Sequence, residues 1–156
     1  MFNYLRPFQR SDVASAAYTS TTNGSTLTLP LAESYQFILD VTAISGSGCT
    51  LDVLMQTSPD NGTTFYSTGP AFRQFTTDGG TGVDILRVNP SQGSREAGQE
   101  WQAWSSTTGG PIAQNLILTR RYRWRFVLGG TGGSPTASAT CQVWLMCQPK
   151  GSAGRV

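Results

Sequence analysis

Arg121-Tyr122-Arg123-Trp124-Arg125-Phe126-Val127-Leu128 runs into Gly129-Gly130-Thr131-Gly132-Gly133-Ser134-Pro135, after which Ala139, Cys141, Val143 and Leu145 take every second place. Large apolar side chains at alternate positions put one face of an extended strand on a core and leave the other to solvent or a neighbour. The glycine-rich stretch is a turn signal, so the whole reads as a hairpin. An earlier segment has the same grammar. Phe37, Leu39, Val41 and Ala43 alternate with Gln36, Asp40 and Thr42, and Leu51, Val53 and Met55 alternate with Asp52 and Gln56, with Gly46-Ser47-Gly48 between the two runs. Two hairpins of like design predict the two sides of a sandwich.

Shorter strand candidates fill the gaps: 25–31, 64–67, 72–77, 83–88, 101–105 and 115–119. Turn signals between them recur at roughly the 8–12-residue spacing of an all-β domain, and no amphipathic helix of useful length is present. The expected fold is therefore all-β, an antiparallel β-sandwich, jelly-roll-like, with extended N- and C-terminal arms. Residues 1–11 read as the N-terminal arm, 12–147 as a single sandwich domain and 148–156 as the C-terminal tail. Residues 91–99, with Pro90 before them and two glycines inside, read as a long irregular loop.

The 156 residues include no histidine and only 13% charged residues, against about 25% in an average soluble chain. Much of the polar surface is therefore hydroxyl, amide and backbone, which favours packed assembly over a solitary monomer. Six basic residues and no acidic one follow Glu100, against five basic and nine acidic up to that point. That asymmetry can steer two copies together or lay the basic part on an acidic partner. A net charge of +2, with four of the six basic residues after Glu100 packed into one strand run rather than a broad patch, argues against nucleic acid. Residues 1–10 hold no apolar run long enough for a signal peptide or a membrane span. Cys49, Cys141 and Cys147 are odd in number, and the last two lie on one face of a strand about 20 Å apart. Buried free thiols, and synthesis in a reducing cytoplasm, are expected.

Without histidine there is no Ser-His or Cys-His dyad and no ordinary zinc site. The carboxylates weighed as an acid–base pair, Asp40, Asp52, Asp60, Asp78, Asp84, Glu33, Glu96 and Glu100, sit at turn-flanking or outward strand positions. No catalytic residue, metal site or cofactor is expected.

Ser58-Pro59-Asp60-Asn61-Gly62-Thr63-Thr64-Phe65 has the form Ser-x-Asp-x-Gly-x-Thr-aromatic. It resembles the Asp box of sialidase-type propellers, where the box is a folding device. Here Ser58, Asp60, Gly62, Thr64 and Phe65 are expected to build a hairpin turn. Asp60 accepts hydrogen bonds from its own turn, Gly62 supplies a positive φ and Phe65 plugs the base. In the arginine-rich run, alternation puts Tyr122, Trp124 and Phe126 on the core face and Arg121, Arg123 and Arg125 on the other. The three arginines either pair across the sheet with Asp40, Asp52 or Asp84, or meet acidic and carbonyl groups of a partner. Phe2, Tyr4, Leu5, Arg6, Pro7, Phe8 and Arg10 form a candidate docking arm, although an ordinary first strand at a sheet edge fits the same residues. Trp101, Trp104 and Tyr66 are candidates for a sugar-stacking platform.

The series Leu39–Gly46, Leu51-Asp52-Val53, Gln56–Asp60, Arg121–Trp124, Leu128–Thr131 and Ser134-Pro135, spread over residues 35 to 147, resembles the small β proteins of tailed-bacteriophage virions, and among them the capsid decoration, or cement, proteins. The resemblance implies a non-enzymatic structural protein that binds the outside of an icosahedral capsid and bridges neighbouring shell subunits. Its implied partners are the major capsid protein and further copies of itself, with a trimer ahead of a dimer, and neither nucleic acid nor a membrane. Its implied location is the capsid exterior. A head fibre base, a neck or tail protein, or a carbohydrate-binding β-sandwich module are the alternatives.

Overall fold

The computed structural model describes residues 8–67, 69–88, 119–130 and 136–149. Among these the chain forms nine strands: β1 (Phe8–Tyr18), β2 (Thr22–Asn23), β3 (Leu27–Thr28), β4 (Ala32–Ser45), β5 (Thr50–Ser58), β6 (Phe75–Thr76), β7 (Gly82–Val88), β8 (Arg121–Gly129) and β9 (Ser138–Pro149). They make two antiparallel sheets, one in the order β1-β9-β4-β7 and the other in the order β2-β8-β5-β6, with β3 also paired to β8. The expected β-sandwich is the fold.

The inward rows follow the alternation. Phe37, Leu39 and Val41 of β4 and Cys141, Val143 and Leu145 of β9 line one sheet, while Leu51, Val53 and Met55 of β5 and Tyr122, Trp124 and Phe126 of β8 line the other, all fully or almost fully buried. Each such side chain contributes about 1.5–3 kcal/mol by leaving water. Aromatic rings lock the two sheets together. Phe37 meets Trp124 edge-on at 5.3 Å and Tyr122 at 6.1 Å, and Tyr18 stacks on Phe126 at 4.3 Å.

The connections differ from the expected ones. The runs on either side of Gly46-Ser47-Gly48 are β4 and β5, which lie in different sheets, and β8 and β9 are divided in the same way. Both expected hairpins are arches that cross the core. The strand pairs are formed between arches, β4 with β9 (Phe37 opposite Leu145) and β5 with β8 (Val53 opposite Phe126). Inside the first arch Gly46 has φ +104°, and a Cβ there would fall 2.6 Å from Cα of Ala137, just ahead of β9, so the two arches nest at a position that only glycine fits.

The outer strands take in residues expected in the arms. Phe8 to Ser11, assigned to the N-terminal arm, belong to β1, where Phe8 opposes Cys147 and Ser11 opposes Trp144. Gln148 and Pro149, assigned to the tail, continue β9 opposite Ser34 and Ala32. Extended backbone with free donors and acceptors is stabilised by adding to a sheet edge, and β9 offers that edge to β1. The expected strand at 101–105, all but Thr119 of that at 115–119, and the loop at 91–99 lie outside the described residues. Those at 25–31 and 72–77 shrink to the two-residue β3 and β6, and that at 64–67 to a single bridge between Tyr66 and Thr57.

Candidate functional site

The most ordered polar feature of the surface is the turn after β5. Thr57 and Tyr66 exchange backbone hydrogen bonds at 2.9 and 3.0 Å, which closes a tight loop over 58–65. Inside it the amides of Thr64 and Thr63 donate to Asp60 Oδ1 at 2.7 and 3.2 Å, Ser58 Oγ donates to the same oxygen at 2.7 Å, and Gly62 N donates to Ser58 Oγ at 2.8 Å. The Thr64 amide, followed by the Thr64 and Ser58 hydroxyls, holds the Asp60 carboxyl down at about 2. Asn61 (φ 61°) and Gly62 (φ 102°) supply the left-handed turn backbone. All three described hydrogen bonds to the Asp60 carboxylate come from its own turn, an arrangement that makes it a structural clasp.

The arginine row of β8 lies on the outer face of its sheet and closes over this turn. Arg121 Nε donates to Asn61 Oδ1 at 3.0 Å, and its Nη1 donates to Thr28 Oγ1. Arg123 Nε donates to Gln56 Oε1 at 2.8 Å while its guanidinium sits 4.1 Å above the Phe65 ring. Two motifs that are separate in the sequence thus form one surface, with β5 and β8 in register to place Ser58 beside Arg121, Gln56 beside Arg123 and Leu54 beside Arg125. Arg125 differs from the other two: its Nε is buried without a hydrogen-bond partner among the described residues. Neither a family model, a curated protein nor a solved structure matches this chain.

The expected pairing of the row with aspartates is not what holds it. Asp52 lies opposite Val127, one row beyond Arg125, and takes both of its described hydrogen bonds from Gln74 Nε2, at 3.0 Å to each oxygen. Asp40 is on the other sheet, bonded to Gln142 Nε2 at 2.9 Å, and Asp84 accepts the Arg73 amide at 2.8 Å. Asp40 and Asp84 belong to the other sheet, whereas Asp52 shares the outer face of the arginine row but lies beyond its end and is engaged by Gln74. Burial pushes the Asp52 carboxyl above its ordinary range, with the Gln74 bond pulling the other way.

Arg10, read as part of a docking arm, points inward. Its Nε donates to Asp12 Oδ1 at 2.9 Å, its Nη2 to Tyr122 Oη at 2.9 Å and its Nη1 to the Thr28 carbonyl at 3.2 Å. Tyr122 Oη and Trp124 Nε1 donate to the other oxygen of Asp12, the second at 3.1 Å, and the Asp12 side chain is completely buried. Burial first, and then the Asp12 charge, drives the Tyr122 hydroxyl far above its ordinary pKa. Asp12 was not among the carboxylates weighed from the sequence. It sits at a register shift of β1, between Ser11 opposite Trp144 and Val13 opposite Val143, and such an extra residue re-aims its side chain.

Phe2, Tyr4, Leu5, Arg6, Pro7, Trp101 and Trp104 lie outside the described residues. Phe8 and Tyr66 are substantially exposed. Cys49, Cys141 and Cys147 are free and buried. Burial, and then the Asp40 charge, push the Cys141 thiol up to about 12, which makes it a poor nucleophile. The groups in the described residues can clamp, stack and donate hydrogen bonds.

Proposed function

We propose that this chain is a structural virion protein of the capsid-decoration type, seated on the outside of an icosahedral phage shell and bridging its subunits. The observation that carries this reading is Arg125. Two arginines of the outward row are committed to the protein's own turn and strand, while Arg125 keeps a buried Nε with no acceptor among the described residues. Leaving such a donor unpaired costs about 1–3 kcal/mol, more when the group is charged, and the guanidinium recovers that cost by turning out to a carboxylate or carbonyl of a partner on docking. The broad sheet face around it, with a rigid turn at its margin, fits contact with a large flat partner such as the major capsid protein. The sequence resemblance supplies the identity of that partner, and a jelly-roll-like sandwich with arms reaching neighbouring subunits belongs to the same proposal. Many weak, repeated contacts on a shell give strength by multivalency, which a chain with few charges and no evident acid–base machinery can provide.

The deciding experiment is the copy number of this chain in density-gradient-purified particles, measured by quantitative mass spectrometry against the most abundant shell protein. A fixed large fraction is expected. A handful of copies would move the chain to the neck or tail, and absence from particles would overturn the virion reading.

A further inference from the structure

The outer face of the other sheet carries an apolar row that the arginine surface does not involve. Strand registers place Trp144 of β9, Ile38 of β4 and Ile85 of β7 side by side, with Met146 and Val83 in the flanking rows. All five lie outside the core cluster; Ile85 is 44% and Val83 54% exposed. The row runs to the edge of the sheet at β7, which among the described residues pairs only with β4.

The two edges of this sheet are built differently. At one edge β1 is interrupted by two register shifts, a recognised means of keeping an edge from pairing with another chain. At the other edge β7 keeps unbroken register with β4 from Tyr35 opposite Val88 to Val41 opposite Gly82. It contains no proline or lysine, and its one outward charge is Arg87. A regular, apolar edge with free backbone donors and acceptors is a template for a further strand.

We propose that β7 pairs with β7 of a second copy, antiparallel about a two-fold axis at Ile85, to make one continuous sheet across a homodimer. Symmetry and charge single out this register. Antiparallel partners place their side chains on the same face, so a two-fold axis normal to the sheet must pass through a residue paired with its own copy. Only Ile85, at the middle of Gly82–Val88, lets all seven residues pair. Ile85 then meets the partner's Ile85 and completes an apolar band from Trp144 of one copy to Trp144 of the other. Arg87 falls opposite the partner's Val83, whose neighbour in the next strand is Asp40. An arginine spans the roughly 10 Å across two strands, so each dimer gains two Arg87–Asp40 pairs between copies. An edge pairing of this length is smaller than a standard interface, so the dimer forms on the order of micromolar concentration and is strengthened where many copies are held together.

The inference deepens the self-association that the resemblance implies for such a chain, and it is tested on the purified full-length chain without any shell. Sedimentation velocity over a range of concentrations is expected to show a monomer–dimer equilibrium. Ile85→Lys, an exposed change checked for native circular dichroism, should weaken it at least tenfold. Arg87→Glu should weaken it by about threefold to tenfold, and adding Asp40→Lys should restore it. Hydrogen exchange should show β7 amides whose protection rises with concentration. A monomer at every concentration, a trimer, or a dimer indifferent to Ile85→Lys would overturn the proposal. Concentration-independent protection of the β7 amides in a monomer would overturn it too, and would assign the edge to the chain's own residues. A dimer that passes these tests stands even if the chain proves absent from particles.

Discussion

Asp12 shows what a single misread residue can hide. It takes hydrogen bonds from Arg10, Tyr122 and Trp124, three groups drawn from both sheets. Removing one partner of such a buried set leaves the others charged or polar without water, which costs about 3–5 kcal/mol. Asp12→Ala should therefore lower unfolding stability by that amount in urea titrations, whereas Arg10→Met with Asp12→Leu should recover a substantial part of it. A single variant as stable as the parent would show that the network is not a structural tie. Asp60 makes the opposite case, a carboxylate legible from its motif. Its native pKa of about 2 lies below the ordinary carboxylate value, so the charged form is the one the turn stabilises. The turn is therefore fully clasped above the unfolded pKa near 4 and loosens as pH falls through about 2. A carboxyl-carbon NMR titration should give that midpoint for Asp60, and a value near 4 would mean the turn's hydrogen bonds do not form in solution. The two residues differed in legibility for a physical reason. A turn motif is read from contiguous residues, while a bulge depends on how a strand meets a partner more than a hundred positions away.

At the scale of elements, the alternation located all four long core strands and their inward residues except Ala43, which a register shift after Val41 leaves exposed, yet it misassigned both connections. A hairpin and an arch bury the same alternate side chains. In the first the two rows lie side by side in one sheet, and in the second they face each other across the core, so a period of two carries no information about which is built. What separates them is the neighbour of each strand, and that is a long-range property: β4 is paired by β9 and β5 by β8. Gly46 holds the one local trace of the arch, through φ +104° and its close approach to Ala137. Gly46→Val adds both backbone strain and a collision with backbone atoms, and the expected loss is about 2–4 kcal/mol by thermal or chemical unfolding. Gly48→Ala is the control, because a Cβ there meets nothing within 4 Å and only the φ of +59° is unfavourable, for a cost of about 1 kcal/mol. Equal effects at the two sites would mean that the arches do not nest.

At the scale of the whole molecule, the sandwich presents two outer faces of different character, one with the arginine row and the other with the apolar band that ends at β7. Stability and docking separate within the arginine row itself, and that separation can be measured. Arg123→Ala strips the cation from the Phe65 ring and leaves Gln56, which is buried, without its described donor, so it should cost about 1–2 kcal/mol of folding stability. Arg125→Ala removes a buried Nε that makes no hydrogen bond among the described residues, so relief of its desolvation offsets the lost packing of its stem and the fold should be no less stable than the parent, or more stable by up to about 1 kcal/mol. Docking should show the reverse order. On particles stripped of this chain and reloaded with purified variants, Arg125→Ala should fall well below the parent in occupancy, while Arg123→Ala, tested below its melting point, should load nearly as well. If Arg125→Ala loads like the parent, the orphaned donor is not a contact and the shell-facing surface lies elsewhere. If it also destabilises the fold by as much as Arg123→Ala, the side chain has a partner within the chain, and the case for docking through Arg125 is lost.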